Sequence, residues 1–140
     1  MRRVILRLVS FAILVALIAA CAAPAGPSTT RLEQVVDGIT IGLELPLSPK
    51  LNAAQDFVIS LADAQGKPID NASVYIDLLM PAMPMGTNRP VASSEGKGRY
   101  LAQAAYTMTG EWEVTVFVEL GGVTHKAVFT QQVSAPTAAP

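Results

Sequence analysis

From residue 39 onward, apolar side chains recur at every second position. Ile39, Ile41, Leu43 and Leu45 form one run, and Phe57, Ile59 and Leu61 a second. Val74, Ile76, Leu78 and Met80 form a third, and Trp112, Val114, Val116 and Val118 a fourth. A period of two sends successive side chains to opposite faces of an extended chain, so each run predicts a strand with one face on a core. The breaks LSPKLN, DAQGKP, SSEGKG, MTG and GG carry the residues that favour turns. Shorter strands are expected at 91–94, 99–106 and 123–132. QVVDGITI offers no convincing helix cap, and no amphipathic helix is expected beyond the first twenty residues. The pattern therefore predicts an all-β fold, an immunoglobulin-like β-sandwich of about seven strands. With one cysteine in the chain the usual inter-sheet disulfide is excluded, and packing alone has to hold the core. Trp112 is the expected anchor.

The first residues follow a different pattern. Arg2, Arg3 and Arg7 precede a run from Leu8 to Ala20 that is apolar apart from Ser10, the charged-then-apolar order of an export signal. The run is too short for a permanent bilayer span. It ends in LIAAC, with small residues at Ala19 and Ala20 directly before Cys21, which resembles the lipobox of bacterial lipoproteins. That resemblance implies cleavage before Cys21 and lipid on its sulfur, hence an extracytoplasmic protein held on a bacterial membrane. The organisation expected is a signal peptide at 1–20, a Pro- and Ser-bearing linker at 21–32, one domain at 33–133 and a disordered tail at 134–140.

Removing the signal changes the charge balance. Seven basic and eleven acidic side chains remain, a net charge of about −4, which argues against nucleic acid as a partner. One histidine, one cysteine and scattered carboxylates supply no nucleophile paired with a base, so no enzyme activity is expected.

The candidate chemistry lies in LMPAMPMG, where Met80, Met83 and Met85 alternate with prolines. Thioether sulfur is a soft ligand suited to Cu(I), and it is also an adaptable filler of cores and docking surfaces. Strand direction bears on the choice. If the strand over Val74–Leu79 runs upward and each connection reverses the chain, Met108 in TMTG returns to the end that holds the other three. Trp112, which opens the next strand, is placed to lay its ring over a bound ion or to serve only the core. His125 starts a strand at the opposite end, roughly 17–20 Å away, and should be a satisfied inward or edge residue.

DLLMPAMPMG, then GRYLAQAAYTMTGEWEVTVFV about twenty residues later, resembles the YtkA-like domain, which is related to the FixH-like group. The matching positions are Met80, Pro81, Met83, Met85 and Gly86, then Gly98 and Tyr100, then Met108, Gly110 and Trp112, within roughly Leu43–Phe129. The resemblance implies an immunoglobulin-like sandwich outside the cytoplasm, associated with copper-handling or oxidase-assembly proteins. Related periplasmic copper carriers join histidine to methionine, whereas here the single histidine is expected at the far end. Two functions follow as expectations. One is a membrane-tethered module binding Cu(I) through Met80, Met83, Met85 and Met108. The other is a metal-free protein-interaction domain of an envelope complex.

Overall fold

A computed structural model describes residues 28–135 apart from Met85, Thr87 and Asn88. Cys21, Met85, the segment read as a signal, most of the linker and residues 136–140 lie outside the described residues. The described residues form eight strands and no helix. These are β1 (Thr29–Val36), β2 (Ile39–Pro46), β3 (Gln55–Ala62), β4 (Ser73–Leu79), β5 (Ser93–Gly96), β6 (Arg99–Ala104), β7 (Gly110–Leu120) and β8 (Val123–Val133). One sheet has the order β1-β2-β3-β6-β5 and the other β4-β7-β8, with all ladders antiparallel.

The four apolar runs are the inner faces of β2, β3, β4 and β7. Ile41, Leu43, Leu45, Phe57, Ile59, Ile76, Val114, Val116 and Val118 are fully buried between the sheets. A column of aromatic rings continues this core toward one pole. The Phe57 ring is tilted against Tyr106 at 5.7 Å between centroids, and Tyr106 meets Trp112 edge-on at 5.4 Å. Trp112 is 6 % exposed, so it is the anchor the pattern predicts.

Strand β1 begins at Thr29, within the stretch read as linker. It pairs with β2 along its whole length through a two-residue turn, Asp37-Gly38, in which both residues have positive φ (51° and 80°). That Asp-Gly pair is the signal of a tight hairpin, and it adds the eighth strand to the seven expected. The fifth strand also differs, running over 93–96 rather than 91–94. Before it, Ile76 N–H donates to the Pro90 carbonyl and Ala92 N–H to that of Val74, so the chain borders β4 and then crosses to the other sheet.

Side chains close the sandwich at its edges. The Gln34 amide on β1 reaches across to β8, donating to the Val128 carbonyl at 2.5 Å and accepting from Val128 N–H at 3.3 Å. The Gln131 amide donates to the Pro46 carbonyl at 2.6 Å and accepts the Tyr106 hydroxyl hydrogen bond.

Tyr106 has no exposed surface, and burial pushes its phenol well above its ordinary value of about 10. The unfolded phenol ionises near pH 10 while the folded one keeps its proton. The associated stability is therefore complete below about pH 10 and lost progressively above it. Denaturant unfolding between pH 7 and 11 should show this fall, and Tyr106→Phe should reduce the alkaline slope relative to the unsubstituted protein.

Candidate functional site

Because each connection reverses the chain, the two ends of the sandwich have distinct membership. One pole collects Ser28 and the start of β1, the 47–54 loop, the end of β4, the 105–109 loop, the start of β7 and the end of β8. The other collects Asp37-Gly38, the 63–72 segment and the turns at 97–98 and 121–122.

The methionines occupy the first pole. β4 pairs with β7 up to Leu79 opposite Glu113, which carries Met80 alongside the start of β7. Met80 is half-buried against the core, and its Cε lies where a Cβ on Gly110 would stand. Met83 N–H donates to the Met80 carbonyl at 3.0 Å, closing a turn, and the Met83 side chain is 52 % exposed. Met80, Met83 and Trp112 line one pocket of about 110 Å³, completed by Leu78, Gly86, Ala105 and Thr107. A volume of this size holds an ion or a small group and little more.

Met108 returns to the same pole, packs its half-buried side chain on the core and is not part of the pocket wall. Its backbone carbonyl accepts the Trp112 indole N–H at 3.0 Å. That bond fixes the indole that lines the pocket. Cation–π contacts among the described residues fall elsewhere: the Arg89 guanidinium and the Lys126 ammonium lie 5.4 and 5.9 Å from the centre of the Phe117 ring.

His125 sits opposite Val118, toward the far end of the β7–β8 ladder. Its Nδ1 is 2.9 Å from Asp37 Oδ2 at the β1–β2 turn, and its side chain is 11 % exposed. It is the satisfied edge residue expected and belongs to no methionine cluster. Among the described residues, no three His, Cys, Asp or Glu side chains are grouped to hold a metal. The soft donors that line the pocket are the thioethers of Met80 and Met83, a ligand type that suits a monovalent copper ion better than harder cations.

The YtkA-like family matches residues 33–117, more than half of the chain. The chain belongs to that family. No curated protein and no solved structure matches it.

The glycines and aromatic residues on which the sequence resemblance rests have mechanical roles. Gly98 has φ +72°, donates its N–H to Asp70 Oδ1 at 2.5 Å and accepts from Leu61 N–H at 2.7 Å. Tyr100 is buried, donates its hydroxyl to the Ile69 carbonyl at 2.9 Å and accepts from Ala72 N–H at 3.2 Å. Together they pin the connection between β3 and β4 beneath the far pole. In M-x-G-x-W, the Met108 carbonyl orients Trp112, and Gly110, at φ +135°, leaves room for Met80. Sequence alone missed the pocket walls Ala105 and Thr107. The strand expected over 99–106 ends at Ala104, so Ala105 and Thr107 fall in the connection that carries the chain from the sheet of β6 to that of β7, and their small side chains give no signal of a pocket.

Proposed function

We propose that this YtkA-like protein is an extracytoplasmic binding module, tethered to a membrane through lipid on Cys21, that holds Cu(I) as cargo at its methionine pole. The observation that carries the reading is that Met80, Met83 and Trp112 wall a single small pocket, at the pole to which Met108 also returns. Met80 and Met83 would supply two thioethers and Met85, two residues beyond Met83, a third, while Met108 could join them only by turning its side chain out of the core. Pro81 and Pro84 restrict the backbone between them and lower the ordering cost of presenting several ligands at once. The Trp112 ring, held by the Met108 carbonyl, would exclude water from one side of the ion.

Competition of the purified domain against a chromophoric Cu(I) chelator tests this. Met80→Leu with Met83→Leu nearly conserves volume and is expected to weaken Cu(I) binding by about tenfold or more, roughly 1.4 kcal/mol, with an unchanged circular dichroism spectrum. Unaltered affinity in that variant would remove the proposal. Met83 is 52 % exposed and Leu79, at the end of β4, 36 %, which favours a second reading in which this pole docks a protein partner. In that case leucine would be tolerated at both positions and Met83→Glu would abolish capture.

A further inference from the structure

The pole that bears the methionines is also the pole at which the chain enters the domain. A continuous set of contacts joins the two. Leu47 N–H donates to the Ser28 carbonyl at 2.9 Å, and the adjacent Pro46 carbonyl receives Gln131. Gln131 receives the Tyr106 hydroxyl, and the Tyr106 ring packs on Trp112 in the pocket wall.

We infer that the methionine pole rests against the phospholipid surface, so that the pocket opens toward the bilayer. This rests on the lipid anchor at Cys21 proposed above, and the geometry supplies the direction. Seven residues, 22–28, lead from Cys21 to Ser28, and even fully extended they span no more than about 25 Å. β7 has 11 residues, which gives the sandwich a length of about 35 Å along its strands. Standing the opposite pole on the membrane would lift Ser28 farther from the surface than the tether reaches.

A domain lying on its side would satisfy the tether, and the distribution of surface chemistry decides between that pose and an upright one. Leu47 is 56 % exposed, and with Met83 and Leu79 it puts exposed apolar side chains around the entry pole. Pro49 and Leu51 continue this surface in a shallow cleft beside Leu47. The opposite pole also exposes Val35 and Val123, but its turns carry five charged side chains, Asp37, Asp63, Lys67, Asp70 and Lys97, whereas the 47–54 and 105–109 loops of the entry pole carry Lys50 alone. Partial burial of apolar side chains at the headgroup boundary, added to a lipid anchor, is the combination that holds a domain in one orientation.

The test uses the full-length protein isolated in its lipidated form and reconstituted into phosphatidylcholine–phosphatidylglycerol vesicles that contain nitroxide-labelled lipid. Lipidated Cys21 has no free thiol, so a single introduced cysteine can be labelled selectively with a fluorophore. Ser48→Cys reports the entry pole and Thr124→Cys the far pole, both at exposed positions. The expected result is quenching several-fold stronger at residue 48 than at residue 124, diminishing when twenty Gly/Ser residues are inserted after Ala22. Equal quenching, as for a domain on its side, or stronger quenching at residue 124 overturns the orientation. Quenching at neither position overturns the contact with lipid and leaves the pole to a protein partner. The mass of the N-terminal peptide is read separately. If Cys21 carries no lipid, the tethered reading fails and the orientation fails with it, whereas lipid present with the wrong quenching pattern removes the orientation alone.

Discussion

Trp112→Ala is expected to destabilise the domain by about 3–5 kcal/mol, the range for truncating a large buried aromatic. The indole is buried, contacts the Tyr106 ring edge-on and donates its N–H to the Met108 carbonyl. Its removal leaves a cavity at the end of the aromatic column and an unpartnered carbonyl in the 105–109 loop. Urea unfolding followed by far-ultraviolet circular dichroism measures the loss. Tryptophan emission cannot serve, because Trp112 is the single tryptophan. Trp112→Phe separates the two contributions: it keeps much of the ring packing and should cost less, including about 1–3 kcal/mol for the orphaned carbonyl. A Trp112→Ala loss under 1 kcal/mol would mean that the indole packs on the surface and does not close the core.

The second large effect is expected at Gly98. Its backbone has φ +72°, and a Cβ there would overlap the Leu61 carbonyl oxygen and press on Pro68 at 3.1–3.2 Å. Neither the oxygen nor the proline can yield without moving β3 or the 63–72 segment. Left-handed geometry costs an alanine about 1–2 kcal/mol and forced overpacking about 1–3 kcal/mol, so Gly98→Ala should lose about 2–5 kcal/mol. Gly121→Ala is the matched control: its φ is +59°, and nothing lies within 4 Å of the added atom. That variant should pay the backbone cost alone. Equal losses at the two positions would show that the steric overlap is relieved without effect.

Much of the sandwich was legible because β2, β3, β4 and β7 each set one face on the core and the other toward solvent, which forces the period of two. β1 escaped for the opposite reason. Its sequence TTRLEQVV places Leu32 and Val36 only partly against the core and leaves Val35 exposed, so no face is apolar enough to mark a strand. β5 is four residues long with no large apolar side chain. At the methionine pole, strand parity alone predicted that Met80, Met83 and Met108 share an end. Parity could not tell that Met108 serves Trp112 through its backbone, because a carbonyl contact leaves no trace in side-chain type.

The Gln34 amide occupies the outward N–H and C=O of Val128 as an adjoining strand would. β8 is the border of its sheet, and an unblocked border offers a template on which another extended chain can add. A crowded film of identical molecules on a surface would multiply such encounters. By spending one side-chain amide at the midpoint of this ladder, the fold interrupts the run of free bonding groups and makes growth into fibrils harder to begin.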